Sequence, residues 1–397
     1  MITVQLILSE NYIEYEKRRR LTLNQKKAAN RLIECRTAAM GGHIEACPDG
    51  HYQRVRYNSC KHRTCAMCAE TKIDEWIEKR KAQLLKTRHY HVIFTIPHEL
   101  NELWITNTKV MAEELFKSAW EVLNGMMNNP DFIGGTPGVI ATLQTWGETM
   151  SLHPHLHMLV TGGGVDEKEN WMSSKENYLV PVKTLMELFR SKYIRMLQKE
   201  AYKGKIKPPK GTSYQELHEF FRGLKEKKWN VYISKEYGYG EGVATYLGRY
   251  IRGGPISNKR IKSYQDKKVE FYYDDNHEQN KAQKRKVMKV SAEEFIRRLL
   301  MHVPPEGFKT VRSYGIYASN KRDILNKCRE KFGQNSYEDA IEDIKGAVWL
   351  EDLIEDNNRC PICGKRLEVI ERIPFGSSGC REGPKCLGHG VCEEKWV

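Results

Sequence analysis

No stretch of the 397-residue chain reaches the run of about 18 apolar residues that a membrane-crossing helix needs. Met1–Arg20 lacks the basic, apolar and small-residue order of a secretory signal, so a cytoplasmic protein is expected. There is no Gly-x4-Gly-Lys loop for nucleotide phosphates and no evident internal repeat. Acidic residues are in short supply: 51 Asp and Glu against 65 Lys and Arg leave a formal net charge of +14. Such a surplus favours a polyanionic partner, because each phosphate contacted releases condensed counterions. The basic clusters are dispersed (17–20, 79–81, 225–228 and 281–289), which suggests a long groove more than a single tail, although each cluster alone also fits a solvated face.

What the chain does have is cysteine, eleven in all, ten of them in two short windows, Cys35–Cys68 and Cys360–Cys392. In a reducing compartment, where stable disulfides are rare, that clustering reads as metal binding. In the first window Cys47, His51, Cys60, Cys65 and Cys68 are the candidate ligands, four of them closing a tetrahedral zinc site. Cys47, His51, Cys65 and Cys68 make one such set, with Cys60, Cys35, His43 and His62 as spare or substituting ligands. In the second, Cys360 and Cys363 form a Cys-x2-Cys-Gly knuckle whose partners are two of Cys380, Cys386, His389 and Cys392. Lys61 and Arg63, beside the first knuckle, are candidate DNA contacts.

Between these windows the pattern alternates strands and helices. A helix is expected over 21–40, ending at Gly41-Gly42, and another over 70–88. A strand over 90–96 precedes a long amphipathic helix over 101–127. Two more strands follow, 139–146 and 155–160, then a helix near 182–202 and a strand over 229–233. A further helix is expected from about Glu241, and Ser291 with Glu294 caps one running to Leu300. Strand, helix, strand, strand describes a split β-α-β sheet of ferredoxin-like type. Trp146 and Trp229 read equally as core residues or as base-stacking platforms.

The segment Leu152–Val160 carries the first catalytic signal. Side chains alternate along a strand, so His155 and His157 share one face while Leu156, Met158 and Val160 occupy the other. Two imidazoles roughly 7 Å apart along a strand face can converge on one divalent ion. Mg²⁺ needs few protein ligands and leaves room for substrate oxygens, and imidazole shifts the preference toward Mn²⁺. A third ligand is needed: strand geometry points to Gln144, charge chemistry to Glu148. The second signal is Tyr246 and Tyr250, four apart and therefore on one helix face, with Arg249 and Arg252 as phosphate contacts. A tyrosine can attack a phosphodiester and leave a 5′-phosphotyrosine and a free 3′-hydroxyl.

Together these residues resemble the two-tyrosine branch of the HUH transposases, the rolling-circle insertion-sequence family of bacteria. The resemblance spans nearly the whole chain. Thr37–Cys47 and Tyr57–Cys68 look like that family's zinc-binding domain, Phe94–Pro97, Gln144–Gly147 and His153–Gly164 like its nuclease core. Tyr246–Tyr250 matches its tyrosine motif and Glu294–Gly315 its later segment. The Cys-x2-Cys opening usual in that family is replaced here by Cys47-x3-His51.

The resemblance implies an α+β fold, with an HUH nuclease core built on a central antiparallel sheet and small zinc modules at both ends. It implies His155 and His157 as ligands of catalytic Mg²⁺ or Mn²⁺, Tyr246 and Tyr250 as nucleophiles, and single-stranded DNA with hairpin ends as partner. Some members of that family work with one tyrosine, so the division of labour stays open, and Tyr250 is the expected necessary one with Tyr246 as helper. In a bacterial cell the active protein would sit on the nucleoid. The expected division is 1–88 helical and zinc-binding, 89–320 nuclease, and 321–397 helical with a zinc ribbon. A rolling-circle replication initiator or relaxase would share the histidines and tyrosines, but the zinc module and the missing nucleotide loop argue against it. A non-enzymatic zinc-dependent DNA-binding regulator is the alternative of a different class.

Overall fold

The structure, a computed structural model, describes residues 2–71, 80–238, 254–275, 278, 280, 283–346 and 358–376. Its centre is a five-stranded antiparallel sheet in the order β12 (Val311–Gly315), β4 (Gly138–Trp146), β5 (Leu152–Thr161), β3 (His89–Thr95), β8 (Asn230–Ile233). The helix Asn101–Asn128 links β3 to β4, and β5 pairs antiparallel with both. That is the split β-α-β arrangement expected from the sequence.

One sheet face carries Val139, Ala141, Leu143, Leu156, Met158 and Val160 into the main core. The helices Asn101–Asn128 and Val182–Tyr202 cover it with Leu115, Phe116, Leu123, Phe189, Tyr193 and Leu197. Trp229 belongs to this core and donates its indole N–H to the Leu224 carbonyl at 2.9 Å, so it is no base platform. The opposite face is divided. Ile140 and Leu159 pack under Leu84, Leu85, Ile316, Tyr317 and Leu325. Further along the same strands the side chains turn polar: Thr142, Gln144, His155 and His157, all buried.

A second core joins segments far apart in sequence. The N-terminal helices Val4–Arg18 and Leu23–Glu34 pack with the helix Ala292–Leu300. Beneath them lies a three-stranded meander, β9 (Ile261–Gln265), β10 (Lys268–Asp274) and β11 (Arg285–Ser291). Val269 and Phe271 face this core, and their register partners Val290 and Met288 pack against it. The short strands β6 (Gly163–Val165) and β7 (Trp171–Ser173) pair with each other, and a further sheet sets β13 (Glu368–Ile373) beside β1 (Gly42–Ala46), which also forms a hairpin with β2 (Gln53–Tyr57). The sequence reading missed the first helix, the meander, β12 and the pairing of β13 with β1. Its first helix, expected over 21–40, ends at Glu34, and only a short 3-10 turn, Ala38–Met40, follows before Gly41. Among the described residues no helix is long and apolar enough to cross a membrane.

Candidate functional site

The histidine site is built on the two central strands. Gln144 lies directly opposite His155, and Thr142 opposite His157. A register shift follows between Gln144 and Trp146, where β5 places both His153 and Pro154 against the single residue Thr145. A bulge is where proline belongs in a paired strand, since it has no ladder N–H to lose. The extra residue also lets the His153 carbonyl turn back to accept the His155 Nδ1–H at 2.6 Å. That bond fixes the tautomer and leaves the lone pair of His155 Nε2 available to a cation.

His157 is held from two sides. Its Nε2 lies 3.0 Å from Gln144 Oε1, and its Nδ1 lies 2.8 Å from Nε2 of His91 on β3. The His155 and His157 rings are 4.6 Å apart, centroid to centroid, and those of His91 and His157 are 5.0 Å apart. Burial keeps the rings neutral: it lowers His155 and His91 to about 4 and pushes His157 further down, with the neighbouring imidazoles adding to the effect at His157. A neutral ring is the form that binds metal. The Thr142 hydroxyl is buried on this face with no hydrogen-bond partner among the described residues. An unsatisfied buried hydroxyl is costly, and a hydrated ion would satisfy it.

Of the two candidate third ligands, Gln144 is the one brought to the histidines. Glu148 is exposed and faces Arg260 at 3.8 Å, and Arg260 also donates to the Glu148 carbonyl. His91 was missed from sequence. The only available signal was its position in a strand that pairs with the His155–His157 strand, and pairing register is not written in local pattern. Tyr246, Tyr250, Arg249 and Arg252 lie outside the described residues, as do Cys380, Cys386, His389 and Cys392. The chain enters the tyrosine segment after Tyr237, whose N–H donates to the His89 carbonyl at 2.7 Å. It leaves at Gly254, packed against the Thr64 backbone.

Cysteine and histidine side chains gather in two groups, each with ligand atoms within 4.8 Å of one another. The first is Cys35, Cys60, Cys65 and Cys68, all buried. The Sγ atoms of Cys35 and Cys68 are 3.5 Å apart, and Cys60–Cys68 and Cys65–Cys35 are each 3.7 Å. Zinc–sulfur bonds of about 2.3 Å in a tetrahedron give sulfur–sulfur edges of about 3.8 Å. The amide N–H groups of Cys60 and His62 point at Cys35 and Cys60 sulfurs, each at 3.4 Å, as thiolate would require. The second group is Cys47, His51, Cys360 and Cys363.

This grouping corrects the reading that joined Cys47 and His51 to Cys65 and Cys68. Cys47 and His51 sit at the tip of the β1–β2 hairpin, whereas Cys35 and Cys60 sit beyond its base, where Gly42 pairs with Tyr57. Four strand steps of about 3.4 Å separate the two ends. The spare candidates resolve as well. Cys35 joins the first group, His43 pairs with Glu45 at 2.8 Å, and His62 Nδ1 bonds the Thr64 hydroxyl at 2.8 Å. Lys61 is exposed in the knuckle, while the Arg63 guanidinium turns inward to the Thr310 hydroxyl beside β12.

Comparison with known proteins agrees with this architecture. Residues 138–323 match the family described as "Putative transposase", and residues 7–96 the family described as "Transposase zinc-binding domain". The "Putative transposase y4qJ" of Sinorhizobium fredii is 32% identical over 383 residues, covering 92% of this chain and 93% of that protein. The "Transposase for insertion sequence element IS801" of Pseudomonas savastanoi pv. phaseolicola is 25% identical over 353 residues, covering 87% and 83%. No solved structure matches the chain. The chain therefore belongs to the family of insertion-sequence transposases that carry an N-terminal zinc-binding domain.

Proposed function

We propose that this transposase cuts and rejoins single-stranded DNA at the hairpin-bearing ends of its element through a 5′-phosphotyrosine intermediate, the chemistry of rolling-circle transposition. The observation that carries the reading is the neutral array of His155, His157 and Gln144 on paired central strands, with His91 behind His157. These residues fit a divalent ion: His155 offers Nε2, Gln144 offers an amide oxygen, and His157 offers Nε2 once its proton sits on Nδ1, facing His91. Bound Mg²⁺ or Mn²⁺ would polarise the scissile phosphate and stabilise the leaving oxygen.

The protein's own part is position. The phenol oxygen of Tyr250 or Tyr246 attacks phosphorus in line. The P–O3′ bond breaks, the 3′-oxygen leaves as a hydroxyl after taking up a proton, and the 5′-phosphate stays on tyrosine. A 3′-hydroxyl attacking that phosphotyrosine reverses the step and rejoins DNA without an outside energy source. The bulge at His153 and Pro154 fixes His155, and the His91 contact aims His157. Cys35, Cys60, Cys65 and Cys68 hold a structural zinc, and the knuckle they form supports the chain at Gly254, where it leaves the tyrosine segment.

The test is incubation of the full chain with Mn²⁺ and labelled single strands of the element's ends, scored on denaturing gels. His157→Ala is expected to lower covalent adduct at least about a hundredfold, given the weight of such electrostatic groups. Wild-type protein that binds the strands yet forms no adduct would overturn the nuclease reading and leave a zinc-dependent DNA-binding regulator.

A further inference from the structure

The second ligand group joins the two ends of the chain. Cys47 closes β1 and His51 lies four residues on, at the hairpin tip, whereas Cys360 and Cys363 come from a knuckle more than three hundred residues later. Cys47 Sγ lies 3.5 Å from Cys363 Sγ and 3.9 Å from His51 Nδ1. The first distance is far beyond a disulfide bond of about 2.05 Å, and both are near the edges of a zinc tetrahedron. The knuckle is already formed around this point: the Cys360 N–H donates to the Lys365 carbonyl at 2.7 Å, and the Gly364 N–H to the Cys360 carbonyl at 2.9 Å.

Four other contacts bring the same two segments together. β13 runs antiparallel to β1 from Gly42–Ile373 to Ala46–Glu368. Arg54 and Arg56 both donate to Asn358 Oδ1, at 3.1 and 2.7 Å, and within the hairpin the buried Glu45 carboxylate pairs with Arg54 and lies 2.8 Å from His43 Nε2. Lys365 pairs with Asp49 at 2.8 Å. Gly41, at φ +64°, leaves room for the returning strand: a Cβ there would lie 2.7 Å from the Ile373 carbonyl oxygen.

We propose that Cys47, His51, Cys360 and Cys363 form one closed zinc site that clasps the C-terminal ribbon onto the N-terminal hairpin. The zinc-binding domain is then incomplete within residues 7–96 and takes half of one site from the far end of the chain. The central sheet lies in sequence between the two halves. A metal clip across so long a loop removes more chain entropy from the unfolded state than one across a short loop. The ribbon by itself is a short strand and a knuckle, too small to bury a core, so its order depends on the metal and on β1 together.

The test is zinc content of the full-length protein by native mass spectrometry. Wild type is expected to hold two zinc ions. Cys360→Ser with Cys363→Ser is expected to hold one, and so is Cys47→Ser with His51→Ala. All four substitutions together are expected still to leave one, because both pairs empty the same site. Cys380→Ser, Cys386→Ser, His389→Ala and Cys392→Ser combined are expected to leave two. X-ray absorption of wild type, which needs no variant to fold, is expected to show seven sulfur ligands to one nitrogen over the two ions. Two zinc ions retained after loss of Cys47 and His51, or one lost with the far C-terminal set, would overturn the clasp.

Discussion

His157 is the residue on which most of the site converges, and His91 is what makes its role specific. A metal-ligating imidazole commonly donates its other N–H to a fixed acceptor, which orients the ring and raises its basicity. His91 Nε2 is placed to accept from His157 Nδ1. His91→Ala is therefore expected to weaken Mn²⁺ binding by about ten- to a hundredfold, with adduct formation restored at high Mn²⁺. His157→Ala is expected to stay inactive at any Mn²⁺ concentration. Equal loss in both, with no rescue, would mean that His91 acts otherwise. Buried histidines also set the response to acid. Burial lowers His302, His89, His91 and His155 to about 4. The unfolded chain takes up these protons near 6.5, so the stability from each neutral ring is full above that pH. It is lost as pH falls toward 4. Each ring is worth about 3.5 kcal/mol at most, at roughly 1.4 kcal/mol per pK unit. Urea denaturation in the absence of added divalent metal should show stability falling mainly between pH 6.5 and 4. A flat profile there would contradict the buried, neutral array.

At the scale of elements, the turn after β4 connects the central sheet to the second core. Three successive carbonyls, those of Glu148, Thr149 and Met150, accept from Arg260, from Arg298 at 2.7 Å and from His302 at 3.1 Å. His302 also accepts the Thr145 hydroxyl at 3.0 Å, which ties the turn to β4 beside Gln144. Loosening this turn should displace the site without touching a ligand. Arg298→Ala is expected to lower adduct yield about tenfold with both zinc ions kept. An unchanged yield would show that the sheet alone sets the geometry.

The strands β3, β4 and β5 of the central sheet and the helix Asn101–Asn128 were legible because their apolar spacing is strong over seven or more residues, whereas the edge strand β12 was not. Nor was the meander. Its strands are short or rich in charged residues, as in Arg285–Ser291, where exposed and half-buried positions alternate and none is fully buried, and the sequence showed that strand only as part of a basic cluster. The position of Gln144 opposite His155 was legible from strand order. His91 and the Cys47–Cys360 grouping were not, because both depend on which distant segments pair.

At the scale of the whole molecule, the described residues form two main cores and a ribbon joined through contacts distant in sequence, with a candidate metal centre in each of the three. Stripping zinc with a strong chelator is expected to unfold the second core and the ribbon first, since Cys35, Cys60, Cys65 and Cys68 belong to that core. Hydrogen exchange should then rise at β1, β2 and β13 before the central sheet. Simultaneous loss of protection everywhere would show a single cooperative unit instead.

Strand polarity distinguishes a covalent 5′-phosphotyrosine link from any other outcome. Single strands of the element's ends would carry a label at either the 5′ or the 3′ end and be incubated with the full chain and Mn²⁺. Attack by tyrosine on the 5′-phosphate is expected to give a protein adduct carrying the 3′ label and a released 5′-labelled fragment ending in a free 3′-hydroxyl. Both should be lost in His157→Ala and in at least one of Tyr250→Phe and Tyr246→Phe. An adduct carrying the 5′ label, or strands bound but never cut, would contradict the 5′-phosphotyrosine link.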